Sequence, residues 1–592
     1  MKINHVWISG YRNIRSSEFQ VESPLILVGE NNSGKSNVLK AMTLPLSPGG
    51  EGYPGRTITL GDLNDDDKLA YYDYIEDNIS LLMSEDISAE DMESFIAHVP
   101  KVTVRLQFDV DDGSRFYFEK LLTTDDAGEL VSQIEFCYQV DDPKQLLKHL
   151  KIIDTAVKAE SGKLGDYRIN LLPEKLFRTH LLVPGKNDPI SFELAKNIKY
   201  FALVAERDGF STNKSRVGAS AIVDLLNRNI DDSDKMNIEK GYNEFFKEIQ
   251  NSSKMDQVFN WARYSAGFSN ADDFFGEISI LPNMPPMNSL LNSIQLGYSQ
   301  HPLSQQGLGY RNLVYLTAMV NALESDDETP FALLSVEEPE AHLSNENQKL
   351  LMSFLGATSK SATNFQLAYS THNTNFIPKL ELQNLVIMHK GKAVSLAEEM
   401  SNPDFRYLMR NPNLDIFKLL FSSNVILVEG ISEELLIKAY LAAETNALNN
   451  IEVLSFHKGF NIIISLWEKV NADSSRKLAV VRDYDDQDNA KQTAESLQVA
   501  HKISINTTSG YTLEDDIVSE NFVLLSKFFK ESLNWPDSAL KDPESLADYW
   551  KNTNGAKGSA TAELSLSIGT DDLEGFTLPP HILDAINFFS EE

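Results

Sequence analysis

The chain has 592 residues, too many for one hydrophobic core, so two to four domains are expected. Its 86 Asp and Glu against 53 Lys and Arg leave a net charge of −33, which excludes a surface that draws in nucleic acid by bulk attraction. A single cysteine, Cys137, excludes a disulfide framework or a cysteine-built zinc site, and no apolar run is long enough for a membrane helix.

In chain order, residues 3–8 alternate like a strand, turn at Gly10, and lack the apolar core of a secretory signal, which fits a cytoplasmic protein. An apolar strand, Leu25 to Val28, feeds a glycine-rich loop. An acidic, helix-forming stretch from Asp62 to Glu93 carries part of the negative charge. Contact with DNA would therefore rely on local basic patches, divalent ions or a partner. Val102 to Phe108 and Ile134 to Val140 read as strands by alternation and β-branched content. Helical spacing around Ile222–Leu226 and Tyr242–Ile249 marks a helical insertion at about residues 210–290. From Leu303 to Ile387 helices alternate with the buried strands Phe331 to Val336 and Gln366 to Tyr369. A polar stretch at 401–420 is expected as a linker between a first domain, 1–400, and a second α/β domain, 421–592.

Gly29-Glu30-Asn31-Asn32-Ser33-Gly34-Lys35-Ser36 completes the pattern GxxxxGKS between that apolar strand and a helix-forming run that starts at Asn37. The glycines let backbone N–H groups curl around phosphate, Lys35 would reach the terminal phosphates, and the Ser36 hydroxyl would hold magnesium. The strand Phe331–Val336 ends in Glu337-Glu338, where one carboxylate can serve the magnesium shell and its neighbour can polarise the attacking water. His372 follows the next apolar strand, within reach of a γ-phosphate.

On these residues the chain resembles ABC-type ATPases of the SMC/RecF kind, and among them the OLD (overcoming lysogenisation defect) family. The resemblance makes Gly29, Asn32, Gly34, Lys35, Ser36 and Asn37 the expected ATP contacts. It makes Glu337 the Walker B carboxylate, Glu338 the catalytic glutamate and His372 the switch histidine. Leu303 to Gly309 looks like the signature loop, with Ser304, Gly307 and Gly309 as the candidate contacts to a facing protomer's ATP, and Arg12 matches a position near the nucleotide. It implies a homodimer or higher homo-oligomer built through the ATPase domain, with residues 210–290 as the candidate dimerisation element.

A second constellation lies further on. The strand Val425–Val428 ends in Glu429-Gly430 and a helix start that carries Glu433. The strand Lys477–Val481 leads to Asp483 and Asp485, which alternation on an extended backbone sets on one side. Oxygen ligands with no His or Cys nearby point to magnesium or manganese, and acidic groups converging at strand ends suit two-metal phosphodiester cleavage. The arrangement resembles the Toprim domain of OLD nucleases. By that resemblance Glu433 and Glu514 are further metal ligands, and Lys557 is the cation near the scissile phosphate.

A topoisomerase would need a tyrosine nucleophile on a further DNA-binding module, and a primase a zinc domain that one cysteine cannot build. The expectation is an ATP-hydrolysing, metal-dependent DNA endonuclease: an ABC-type head with a helical insertion, then a C-terminal Toprim α/β domain, acting in anti-phage defence. The resemblance also admits a helicase-like partner or a retron. The rival expectation is a nuclease-silent, ATP-dependent DNA-binding sensor or a subunit that a partner activates.

Overall fold

The computed structural model describes residues 1–48, 57–84, 87–110, 115–125, 128–159, 162–186, 188–203, 230–251, 285–286, 289–290, 297–298, 301–302, 305–324, 329–373, 376, 381–408, 415–443, 450–456, 460–484 and 488–590. Three large sheets and a two-stranded ribbon, Gly297–Tyr298 with His301–Pro302, organise them.

The first sheet is antiparallel. It runs, edge to edge, through Ile14–Gln20, Lys2–Tyr11, Val102–Asp109, Leu130–Val140, Phe177–Val183 and Asp188–Pro189. The second runs Lys392–Ser395, Leu385–His389, Leu25–Gly29, Phe365–Thr371, Phe331–Glu337, Ile198–Leu203 and Ser47–Pro48. All its pairings are parallel except the edge hairpin of Leu385–His389 with Lys392–Ser395. The third is a parallel sheet in the order Ile451–Ser455, Asn424–Val428, Lys477–Arg482, Ile503–Thr507. The molecule is thus α/β throughout its catalytic candidates.

The inner parallel strands Leu25–Gly29, Phe331–Glu337, Asn424–Val428 and Lys477–Arg482 are buried on both faces almost throughout, which is why they are largely apolar runs. Leu25 and Leu27 point into a core shared with the antiparallel sheet, while Ile26 and Val28 point into a second core. That second core continues without a break into the third sheet through Val425, Leu427, Leu478 and Val480. On the opposite face of that sheet Ile426, Val428, Ala479 and Val481 close a third core against the C-terminal helices.

The expected linker, 401–420, differs from a polar tether. It carries the helices Asn402–Leu408 and Ile416–Phe421, and Phe405, Leu408, Leu419 and Leu420 are buried in the shared core. Ile416 and Phe417 pack against the same core, so the described apolar residues of this stretch join the two units. Within the expected helical insertion the helix Asp232–Gln250 is present, and most of the remaining span, including Ile222–Leu226, lies outside the described residues.

Candidate functional site

The strand Leu25–Gly29 passes through the loop 30–34 into the helix Lys35–Thr43. Gly34, the residue before that helix, has φ 111°, a left-handed conformation that a side chain rarely adopts. A Cβ on Gly29 would come within 2.4 Å of the Met388 carbonyl oxygen, so the loop is pressed against the neighbouring hairpin and only glycine fits. Lys35 is buried; its ammonium donates to the carbonyls of Gly29 at 2.7 Å and Glu30 at 2.8 Å. Burial lowers its pKa, against Glu338, Glu340 and Glu30, which raise it.

The strand Phe365–Thr371 lies between the loop strand and Phe331–Glu337, so its end falls between the phosphate loop and the Glu pair. Accordingly His372 Nδ1 lies 3.1 Å from Glu338 Oε1. Glu338 has φ 42°, and Arg12 and Asn32 have φ 51° and 61°. Three of the residues expected at the nucleotide thus hold a backbone conformation that costs energy outside glycine and clusters at functional sites. Glu337 is buried beside Lys40 at 3.8 Å. The Arg12 guanidinium donates to Asp62 at 2.8 Å and to Asn37 at 3.1 Å, which ties two expected contacts together at the start of the helix.

Gly309 is buried in the helix Leu308–Glu324, where a Cβ would meet the His342 carbonyl oxygen at 2.4 Å. Gly307 is exposed just ahead of that helix, and its carbonyl caps Arg311 N at 3.2 Å. The signature segment therefore packs on this chain's own turn after the Glu pair, and Ser304 lies outside the described residues.

Glu340 was not expected at the site. It is 4% exposed, receives the Thr371 hydroxyl hydrogen bond, and burial pushes its carboxyl up. Its signal was its position two residues past Glu338, where a glutamate looks like solvated surface.

The second site forms at the carboxyl edge of the third sheet. Glu429 follows the strand Asn424–Val428 and Asp483 follows the adjacent strand Lys477–Arg482, at the point where the strand order reverses. The two meet directly: Asp483 N donates to Glu429 Oε1 at 3.3 Å. Asp483 Oδ1 in turn accepts Leu513 N at 3.0 Å, from the first turn of the helix Leu513–Leu533, whose N-terminal dipole favours a carboxylate. The same turn supplies Glu514, 1% exposed. Glu433 is buried in the first turn of Ile431–Ala443, and a Cβ on Gly430 would strike its Oε2 at 2.9 Å.

Lys557, from the helix Ala556–Ser567, forms an ion pair with Glu514 at 2.7 Å. Burial works against its charge, but Glu514, Glu433 and Asp483 outweigh that and push its pKa up. Burial also pushes the Glu433 carboxyl up, and Glu514 adds to this against Lys557. The structure therefore brings Glu429, Glu433, Asp483, Glu514 and Lys557 to one edge. Asp485 lies outside the described residues. Among the described residues no three His, Cys, Asp or Glu side chains are disposed to hold an ion. In place of a bare carboxylate cage there is a set balanced by Lys557, because buried carboxylates at such spacing repel unless a cation stands among them. The acidic groups offer only oxygen, the donor a hard divalent cation takes, and Glu433 and Glu514 are nearly fully buried; holding an ion would require the carboxylates to turn from their present partners toward one point.

Behind the site is a pair that sequence reasoning missed. Asp516 accepts Ser509 N at 2.8 Å and Gly510 N at 2.6 Å and lies 3.1 Å from the buried His581. Thr508, in the same loop, accepts Tyr484 N at 2.9 Å and so holds the segment that follows Asp483. No helix of the described residues is long and apolar enough to cross a membrane.

Comparison with known proteins adds a family. A family model described as "AAA ATPase domain" matches residues 1–377. The chain is 27% identical over 207 residues to endonuclease GajA of Bacillus cereus (strain HuB5-5), a match spanning 29% of this chain and 30% of that protein. It is 39% identical over 59 residues to the DNA replication and repair protein RecF of Rickettsia akari (strain Hartford), which is 10% of this chain and 14% of that protein. The chain thus matches less than a third of the length of either relative. Among solved structures, the SMC head domain from Thermotoga maritima aligns with 67% of this chain and 99% of its own, at 14% identity and a TM-score of 0.29.

Proposed function

The chain belongs to the AAA ATPase domain family, and on that premise we propose that it is an ABC/SMC-type ATPase joined to a Toprim-type, metal-dependent DNA endonuclease. The observation that carries the second half is the gathering of Glu429, Glu433, Asp483, Glu514 and Lys557, drawn from four segments, at one sheet edge. The partial likeness to an endonuclease supports the same reading.

At the ATP site, Gly29 to Ser36 would cradle the phosphates, Lys35 would leave the loop carbonyls for the terminal phosphates, and the Ser36 hydroxyl and Glu337 would hold magnesium, which would neutralise phosphate charge. Glu338 orients the attacking water and His372, in contact with it, senses the γ-phosphate. Arg12 and Asn37 brace the loop from the helix side; in an assembly the signature segment with Gly307, Gly309 and Ser304 would have to turn from its packing against His342 to meet the ATP of a second copy. At the acidic site, Glu429, Glu433, Asp483 and Glu514, with Asp485, would hold magnesium or manganese. A divalent ion there supplies the Lewis acidity that makes water a nucleophile at neutral pH. Lys557 offsets the charge that builds on the scissile phosphate. DNA is the expected substrate and a homo-oligomer the expected assembly, in a cytoplasmic anti-phage role with a helicase-like or retron partner.

The Lys557–Glu514 ion pair favours a second reading as well, in which cutting is held off until a partner or nucleotide signal frees the carboxylate. Both are tested by incubating purified protein with supercoiled plasmid and magnesium or manganese, with and without ATP. Nicked or linear product that EDTA abolishes supports the nuclease. ATP hydrolysis with no cutting under either metal hands the lead to the held-off subunit.

A further inference from the structure

Glu30, the residue after Gly29 in the phosphate loop, is tied in two directions. Its carbonyl accepts the Lys35 ammonium at 2.8 Å, and its carboxylate accepts the Arg476 guanidinium at 2.6 Å. Arg476 belongs to the C-terminal α/β unit, in the short loop between the helix Phe460–Asn471 and the strand Lys477–Arg482. Its side chain is 13% exposed, against 44% for Glu30. The same guanidinium donates to Asn471 Oδ1 at 3.0 Å, lies 3.2 Å from His389 Nδ1, and sits over the Phe421 ring at 5.7 Å. Asn471 is fully buried and donates to the Leu420 carbonyl at 3.1 Å. Arg476 is therefore fixed by its own unit and reaches the phosphate loop with one end of its fork.

A second connection runs beside the first. Gly391 N donates to the Ser33 carbonyl at 2.9 Å, and a Cβ on Gly29 would strike the Met388 carbonyl, so the hairpin 385–395 grips the loop. That hairpin also carries His389, beside Arg476, and Lys392, which is paired with Asp473 in the Arg476 loop. Burial and the Arg476 charge lower the His389 pKa, against Glu30, which raises it.

We propose that Arg476 is a positioning residue of the nucleotide site, lent by the C-terminal unit, and that its pair with Glu30 couples nucleotide occupancy to the strand that ends at Asp483. The inference rests on the two-site reading above. Phosphate oxygens recruit Lys35 away from the Glu30 carbonyl and bring several negative charges beside the Glu30 carboxylate. Both changes fall on one residue, and a guanidinium this desolvated is costly to part from its carboxylate. A displacement of Glu30 is thus passed to Arg476. From there the six-residue strand Lys477–Arg482 runs roughly 20 Å to Asp483. By linkage the effect is reciprocal: whatever ATP does to that strand, occupation of the acidic site does to ATP affinity.

The test measures ATP affinity and amide hydrogen exchange across residues 477–484, with and without ATP, in the full chain. It compares wild type, Arg476→Ala, Glu30→Gln (an exposed change that spares the fold) and the double variant. In wild type, ATP is expected to alter exchange over 477–484, and both single variants are expected to abolish that response. Arg476→Ala, which leaves the Glu30 charge facing the phosphates, weakens ATP binding about five-fold or more. The double variant binds ATP no worse than Glu30→Gln. ATP binding with no exchange response in wild type, or with a wild-type response in both single variants, overturns the coupling and leaves the ATPase reading standing. Failure of wild type to bind ATP overturns both.

Discussion

The phosphate loop and the acidic edge both sit at the carboxyl ends of parallel strands, yet they are held by different means. The loop is a matter of backbone: Gly34 is left-handed, Gly29 is wedged against Met388, and the charged Lys35 is satisfied by main-chain carbonyls. The acidic edge is a matter of charge: Asp483 is held by the Leu513 N–H and by Glu429 through its own N–H, and the buried Glu514 by Lys557. A site of the first kind is specified by consecutive residues and fails when its backbone is crowded. A site of the second kind is assembled from distant residues and fails when one charge is removed and its partner is left buried and unpaired.

That contrast can be broken in steps. The largest effect is expected from Glu338→Gln, which removes the carboxylate proposed to orient water and leaves the glycine loop intact. ATP turnover should drop on the order of 10²–10⁴-fold, by phosphate release, with ATP still bound. Next is Lys557→Ala: plasmid cleavage should drop about 10²–10³-fold, since a fixed cation near the reacting phosphate is lost, while ATP hydrolysis persists. If cleavage instead rises, Lys557 is the brake of the held-off reading.

Asp516→Asn probes the support behind the acidic edge and should cost about 2 kcal/mol in a denaturant melt, as a buried charged hydrogen-bond partner is lost. Burial alone would raise the Asp516 carboxyl, but His581 and the Ser509 and Gly510 N–H groups outweigh it and hold its pKa low. A depressed folded pKa means stability that is present above the ordinary carboxylate range and lost as pH falls through it. The gap between wild type and Asp516→Asn should therefore be full near neutrality and close below about pH 4. A gap that stays constant with pH would rule out the charge as its source. The smallest effect is expected from Gly430→Ala, whose Cβ displaces the Glu433 carboxylate. Manganese affinity should weaken about ten-fold with little change in melting; an unchanged affinity would remove Glu433 from the ligand set.

The same contrast explains what could be read from the sequence. The phosphate loop, the Glu337–Glu338 pair and His372 could be picked out because each is local and directly follows an apolar strand, although the sheet sets the strand before His372 between the other two. Glu429 and Asp483 were legible as strand-end carboxylates. Strands such as Leu385–His389 and Ile503–Thr507 were not expected, because in strands so short helical and strand spacing look alike. Charge partners were the least legible. Arg476 lies 446 residues from Glu30, His581 has no local signal beside Asp516, and the burial of Glu340 depends on Thr371, 31 residues away.

The central claim is that one chain carries two separable active sites, one for ATP and one for DNA. The direct test is to assay ATP hydrolysis and plasmid cleavage side by side on Asp483→Ala and wild type, with magnesium or manganese present. Asp483→Ala should still hydrolyse ATP, changed by no more than the several-fold that coupling between the sites allows, and leave the plasmid uncut. Cleavage that survives in Asp483→Ala would contradict the account.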